Sequence, residues 1–193
     1  MRDNVERDLG SHLENALRGV IIADRYPKSA LDITVMVLEG EEDCLWNEEH
    51  GQEHGVGGVG LMNVLAGCIN VAVAALVDAK IDCLDLLSSG VASRTADSET
   101  DLLDPCPSEH ESLACACVVG YLPARDEVVE VWSKAVSGQG TEQSTEALVD
   151  AAIKAARGSH KILKQVIKES LEQGNKPKKV GDQKVMNDVE MKT

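Results

Sequence analysis

The sequence predicts an α+β fold in which helices pack in layers against a sheet. Helical and alternating apolar patterns occur in the order helix, strand, helix, strand, hairpin and helix. Leu, Ile and Val form about a quarter of the 193 residues, which is enough for a hydrophobic core. Because there are two Trp, two Tyr and no Phe, this core must be aliphatic. We expect one domain over residues 1–173 and a disordered polar and basic tail over residues 174–193.

The first helix is expected to begin at Asp3, because Asp3 and Glu6 have the spacing of a capping box. Apolar residues recur at helical spacing from there, and Pro27 ends the helix. Residues 30–38 then alternate between apolar and mixed positions, which predicts a strand buried mainly on one face. The buried face would hold Leu31, Ile33, Val35 and Val37. We expect Glu39 to His54 to form an acidic loop.

A charge-free run from Gly55 to Val77 is long enough to raise the question of a membrane span. Asn63 and Asn70 interrupt this run, and neither flank carries the aromatic belt or Lys/Arg cluster that anchors a span. We therefore expect the central buried helix of a domain that makes no contact with a membrane.

The second half of the chain predicts a sheet followed by a long helix. We expect a strand at Asp82–Ser93, a loop at Ala96–Pro107, and a hairpin that turns at residues 123–126 into residues 127–132. The first hairpin strand, residues 113–121, has one face of small residues, so a neighbouring element should pack closely against it. The apolar stripe of the last helix comprises Val149, Ile153, Ala156, His160, Leu163, Ile167 and Leu171.

The net charge of −14 is unevenly distributed. Residues 1–153 contain 9 basic and 28 acidic side chains, whereas residues 154–193 contain 10 basic and 5 acidic ones. The basic end is either a solvated helix face and tail, or a surface for a phosphate backbone or an acidic partner. The acidic body and the scarcity of aromatic residues argue against independent binding of nucleic acid.

Three motifs that could carry chemistry lack the context that the chemistry needs. Gly55–Gly60 satisfies a dinucleotide fingerprint, but a polar acidic segment precedes it instead of a strand, which favours a flexible loop. His50 and His54 have the i, i+4 spacing of metal ligands without a third ligand at motif spacing. Cys115 and Cys117 point to one face of a strand and favour buried thiols over a zinc site. We expect no cofactor and no metal.

Several segments in one order carry a family resemblance. These are Arg25–Glu39, Cys68–Ala79, Asp85–Val91, Leu103–Glu111, the strand pair through Leu122 and Trp132, and the long last helix. In this order they resemble the RNase PH-like subunits of the eukaryotic RNA exosome ring, and the stretch from Tyr26 is most similar to the fungal mRNA-transport type. The resemblance implies an RNase PH-like fold, of the ribosomal protein S5 domain 2-like kind, with its first strands missing ahead of Asp3. An unpaired sheet edge of this kind would make the chain poorly stable alone.

The resemblance also implies which residues occupy the family's active site. Active members hold phosphate with Gly-Thr-Arg-Thr at the start of the central helix. The positions here are Asn63, Val64, Leu65 and Ala66. A metal-binding aspartate of active members falls on Ala116, about seven residues after Glu109. The resemblance therefore implies a chain that is not an enzyme. The alternative is an active phosphate-dependent 3′-to-5′ exoribonuclease or nucleotidyltransferase.

The implied function is that of a structural exosome subunit in 3′-to-5′ RNA processing and degradation, including rRNA maturation and surveillance. The implied partners are other RNase PH-like ring subunits, cap subunits, and RNA that passes through the assembled ring, in the nucleus and nucleolus and also in the cytoplasm. Arg18, Arg25 and Lys28 are weak candidates for the RNA path or an interface, because surface solvation or a local salt bridge is the more common reason for such a cation. A third possibility is a stand-alone binding module with a basic tail.

Overall fold

The computed structural model describes residues 2–38, 59–95, 100–106, 109, 113–135 and 142–174. Within these residues there are three α-helices, α1 (Arg2–Arg18), α2 (Val59–Asp78) and α3 (Glu142–Gly174). Four strands, β1 (Ser88–Thr95), β2 (Asp101–Leu103), β3 (Leu113–Leu122) and β4 (Glu127–Ala135), form an antiparallel sheet in the order β2-β1-β3-β4. The predicted α+β class is confirmed.

The two faces of β3 serve two separate apolar clusters, because successive side chains of a strand point to opposite faces. Ala116 and Val118 lie in the main core with α1 and α2. Cys117, Val119 and Tyr121 pack instead with small residues of α3. These α3 residues are Leu148, Ala151, Ala152 and Ala156. The sheet is therefore the middle layer between two helical layers.

Helix α3 approaches the sheet very closely at Gly90 of β1. A Cβ atom at Gly90 would lie 2.2 Å from the backbone nitrogen of Ala156 and 2.6 Å from the carbonyl carbon of Ala155. Gly90 pairs with Val119, so this contact lies on the α3 side of the sheet. The close packing predicted for the small face of β3 is therefore found elsewhere, at β1 and on the opposite face of the sheet. The alanines of α3 let its backbone approach there.

Asn70 of α2 closes part of the edge of β1. Its side chain accepts a hydrogen bond from the backbone N–H of Ser89 at 2.9 Å and donates one to the Ser89 carbonyl at 3.2 Å. Farther along the same edge, the Asp104 N–H donates to the Val91 carbonyl at 2.9 Å. Asn70, which interrupts the apolar run of α2, thus forms the hydrogen bonds that a neighbouring strand would form, at a position that β2 does not cover.

Helix α2 is the central helix that the charge-free run predicted. Its composition and length would suit a membrane span, but 56% of its most apolar window is buried inside the protein. Met62, Leu65, Ile69 and Val73 all lie in the main core. Packing within the domain therefore accounts for the hydrophobicity of this helix.

Residues 30–38 do not form the predicted strand. Ile33 and Val35 pack against the main core as expected, whereas Leu31 and Val37, the other two residues of the predicted buried face, are exposed. The segment is not part of the sheet, because within the described residues no strand pairs with it. An alternating apolar pattern predicts which side chains are buried, but a strand also needs a neighbouring strand with which its backbone can form hydrogen bonds.

Three other boundaries differ from the predictions. Helix α1 ends at Arg18 because the chain then pairs with the segment before β1, where Ile21 bridges Cys83. The strand predicted at Asp82 begins only at Ser88, since the Asp85 carboxylate accepts hydrogen bonds from Leu86 and Ala124, each at 2.7 Å. The loop predicted at Ala96–Pro107 contains the short strand β2.

The hairpin through residues 123–126 and the long last helix are confirmed, although Leu171 at the end of the apolar stripe is exposed. The predicted acidic loop at Glu39–His54 and the predicted tail beyond residue 174 lie outside the described residues.

Candidate functional site

The start of α2 holds the four positions at which the resemblance places phosphate binding. Leu65 is fully buried and Ala66 is nearly so, and both belong to the main core. Asn63 is the polar member of the four, and its amide donates to the Pro105 carbonyl at 3.0 Å. Its carbonyl oxygen is buried and has no hydrogen-bond partner in the described part of the chain. These side chains offer no positive charge to an anion.

The position of the expected metal ligand lies in the middle of β3. Ala116 is fully buried in the main core, on the face that α1 and α2 cover. The neighbouring Cys115 and Cys117 point to the opposite face, toward α3. Asn63 and the two thiols therefore lie on opposite sides of the sheet and cannot share one ligand.

The environment of the two thiols keeps them protonated. Burial raises the pKa of Cys117 to about 12, and the nearby Cys115 adds to the shift. Burial is also the main cause that raises the pKa of Cys115, with Arg94 opposing it and Asp101 supporting it. Because a metal binds the thiolate, the raised pKa of both thiols makes metal binding less favourable. In the described residues no three His, Cys, Asp or Glu side chains are grouped to hold a metal ion.

His50, His54 and Gly55–Gly58 lie outside the described residues. Gly60, the last glycine of the fingerprint, is buried in the first turn of α2.

The three candidate cations occupy different local environments. Arg18, at the end of α1, is exposed and forms an ion pair with Glu14 at 2.5 Å. Arg25, in a short 3-10 turn, is exposed and lies 3.9 Å from Asp82. Lys28 is exposed and has a left-handed backbone with φ of 63°. Arg18 and Arg25 thus have local acidic partners. The contacts of these three residues do not test the prediction that they line an RNA path or a subunit interface.

Two shallow grooves lie near Arg25 and share Ile81 in their walls. The larger, about 450 Å³, lies beside the end of α2 and is lined by Val73, Val77, Lys80 and the segment 81–86. The smaller, about 190 Å³, is lined by Tyr26, Leu31 and neighbouring residues. The Tyr26 hydroxyl accepts a hydrogen bond from the Asp82 N–H at 2.8 Å, which fixes the wall between them.

The structure brings together two groups of charged residues that were not predicted as sites. Arg94 and Asp101 form a half-buried cross-strand ion pair at 2.6 Å between β1 and β2. The second group is a row of cations on the exposed face of α3, which we call the cationic stripe. It comprises Lys154, Arg157, Lys161, Lys164 and Lys168. Their alternating spacing of three and four residues is the signal that could have revealed the stripe.

The fold and sequence are similar to those of known RNase PH-type proteins. Domain 1 of the 3′ exoribonuclease family, RNase PH type, matches residues 1–82. The crystal structure of rice Rrp46 superposes with a TM-score of 0.63 at 15% identity, covering 84% of this chain and 65% of that one. The chain therefore has the RNase PH-like fold, as predicted.

The curated relatives with similar sequences are exosome components. The exosome complex component MTR3 of Chaetomium thermophilum is 44% identical over 175 residues, covering 89% of this chain and 60% of the relative. The human exosome complex component MTR3 is 27% identical over 166 residues, covering 79% of this chain and 54% of the relative. The chain thus spans about 60% or less of the length of these relatives. It is an RNase PH-like chain similar to exosome components of the MTR3 type, which confirms the resemblance.

Proposed function

We propose that the chain serves as a non-catalytic structural subunit of the RNA exosome core ring and thereby supports 3′-to-5′ RNA processing and degradation. The observation that carries this proposal is the 44% identity over 175 residues to an exosome component of the MTR3 type. The RNase PH-like fold supports it, because that fold provides the sheet and helix surfaces from which a ring can be built.

The arrangement of the site supports a structural role rather than phosphorolysis. A phosphorolytic site needs cations and free amides for phosphate, and carboxylates for a divalent ion. Leu65, Ala66 and Ala116 occupy the corresponding positions and are buried in the core. Restoring a charged residue at such a position would cost several kcal/mol unless a partner were present.

The proposed partners are other RNase PH-like ring subunits and the cap subunits, with RNA passing through the assembled ring. The relatives that carry exosome names support the ring partners. Arg18, Arg25 and Lys28 are proposed to contact the RNA path or a neighbouring subunit, since all three are exposed. The proposed location is the nucleus and nucleolus, and also the cytoplasm, which microscopy of the tagged full-length protein would test.

Affinity purification of the tagged full-length protein tests the proposal directly. We expect mass spectrometry to recover the other ring subunits in near-equal amounts, together with cap subunits. Recovery of the tagged protein without any ring subunit would overturn the proposal and favour a stand-alone binding module.

A phosphorolysis assay tests the non-catalytic role. Purified full-length protein is incubated with RNA, phosphate and magnesium, beside an active phosphorolytic enzyme as the positive control. We expect no release of nucleoside diphosphate. Release that disappears when this chain is mutated would overturn the proposal in favour of an active exoribonuclease or nucleotidyltransferase.

A further inference from the structure

The cationic stripe follows a straight path along α3. Helical geometry places residues at alternating spacings of three and four within an arc of about 80°. The stripe from Lys154 to Lys168 extends about 21 Å, at about 1.5 Å per residue. All five side chains are exposed. The four lysines lie on the side of α3 that faces away from the sheet, whereas Arg157 reaches back and donates a hydrogen bond to the Tyr121 hydroxyl of β3 at 2.8 Å. They form a nearly linear positive surface on a chain whose net charge is −14.

Most of this charge is not neutralised by the protein. Residues 151–168 contain no Asp or Glu. Within the described residues, Lys154, Lys161 and Lys164 form no ion pair. Arg157 contacts Asp126 at 3.2 Å, and Lys168 lies 4.0 Å from Glu172. At least three lysines therefore remain available to an external anion.

Helix stability does not explain the pattern. Cations stabilise a helix near its C-terminus, yet the stripe begins at Lys154 in the middle of α3, and the last turns carry Glu169 and Glu172. Neighbouring like charges at spacings of three and four also destabilise a helix by a few tenths of a kcal/mol per pair. An ordinary solvated helix would alternate acidic and basic residues along this face.

We propose that the cationic stripe of α3 binds the phosphate backbone of single-stranded RNA. Binding to a phosphate backbone needs only a row of flexible cations, and lysine stems are long enough to follow the chain without a fixed register. An acidic peptide on a helix face would gain most of its affinity from apolar anchors. Within residues 154–168, the exposed large apolar residues are Ile162 and Val166, and both lie more than about 100° around the helix from the centre of the stripe.

The choice of RNA over another polyanion rests on the proposed function, because an exosome ring holds RNA. The stripe adds to the contacts of the assembled complex, since the acidic body of this chain opposes independent binding. Since α3 contains no Phe, Tyr or Trp and its one histidine, His160, is half-buried outside the stripe, contact with bases by stacking is not expected, and binding would be independent of sequence.

Site-resolved cross-linking in the assembled complex tests the proposal. RNA that contains 4-thiouridine is cross-linked to the complex, and the cross-linked peptides of this chain are identified by mass spectrometry. We expect cross-links within residues 154–168. For three phosphate contacts, their yield should fall about twenty-fold between about 50 and about 200 mM salt.

Two triple variants separate charge from folding. The variant Lys154→Gln, Lys161→Gln and Lys164→Gln should lose these cross-links, because it removes the three free cations at nearly equal helix propensity. The corresponding Lys→Arg variant should retain them, and Lys80→Gln, which lies outside the stripe, should have no effect.

Three outcomes would overturn the proposal. They are absence of cross-links in the wild-type segment, cross-links that persist in the triple Gln variant, and loss of ring subunits from that variant, which would show that the stripe binds an acidic protein surface. Failure of the proposed function is distinguishable, because wild-type protein would then recover no ring subunits at all.

Discussion

Gly90 lies so close to α3 that any side chain there would collide with the helix backbone. Its missing Cβ leaves room for Ala155 and Ala156, whose backbone atoms would otherwise lie within 2.6 Å. Backbone cannot rotate away as a flexible side chain can. The whole helix would have to move, which would open the cluster around Tyr121 and Leu148.

Gly90→Ala should therefore lower the free energy of unfolding by about 3 kcal/mol or more. Chemical denaturation of the full-length chain measures this change. Gly158→Ala is the matched control, because no atom lies within 4 Å of its added Cβ, and alanine should raise stability by up to about 1 kcal/mol. Equal effects of the two substitutions would contradict the close packing.

The buried thiol of Cys117 should resist alkylation. Its pKa of about 12, against an ordinary value of 9.0, leaves almost no thiolate at pH 8. Iodoacetamide labelling followed by mass spectrometry should modify the exposed Cys106 well before Cys117. Comparable labelling rates at both residues in the folded protein would contradict this expectation.

The same shift predicts how stability depends on pH. The folded state keeps the Cys117 proton at pH values where the unfolded chain loses it, so unfolding releases a proton above about pH 9. Stability should fall as pH rises from about 9 toward 12. Cys117→Ala should reduce this slope in denaturation curves recorded at several pH values, and an unchanged slope would exclude Cys117 as its cause.

At the scale of elements, α2 both fills the core and completes the sheet. Asn70→Ala should destabilise the protein by about 2–4 kcal/mol, because it leaves the buried N–H and carbonyl of Ser89 without partners. Asn63→Ala is the control, since it removes one hydrogen bond and an oxygen that has no partner among the described atoms. Thermal unfolding of both variants measures the difference, and an equal loss would contradict the role of Asn70.

The segment 30–38 differs from the four strands in how its backbone is held. Ile33 and Val35 anchor it by side-chain packing, while the sheet that the structure describes does not include it. Hydrogen exchange should therefore be fast at residues 31–38 of this chain and slowest in β3, which pairs on both sides. Protection of residues 31–38 equal to that of β3 would show that the segment is paired.

At the scale of the whole molecule, the sequence correctly predicted the elements whose apolar periodicity lies within their own residues. The apolar run that became α2 and the alternating residues around the turn at 123–126 each carry their own periodicity, so both elements were found. The prediction of a strand at residues 30–38 was wrong, because strand pairing depends on a neighbouring strand that an alternating apolar pattern does not specify. The contact at Gly90 depends on where a helix 65 residues later crosses the sheet, which no local pattern contains.

The candidate site shows the same limit. The resemblance identified the positions Asn63 and Ala116, but only the structure shows that the thiols beside Ala116 face the other side of the sheet. The lysines of α3 were interpreted from the sequence only as an excess of basic residues, although their spacing of three and four residues indicates one face of a helix. The burial of the opposite face and the lack of ion pairs at Lys154, Lys161 and Lys164 among the described residues are known only from the structure.

The bonds that Asn70 makes to Ser89 also determine where another chain could add to the sheet. The Asn70 side chain uses the hydrogen-bonding capacity of the Ser89 backbone, but it offers no row of backbone groups to a further strand. The sheet therefore cannot extend past α2 at that point. On that side, the described chain offers only the three residues of β2 as an edge, whereas β4 offers nine. Strand addition, whether in assembly or in aggregation, should therefore occur in one direction, outward from β4.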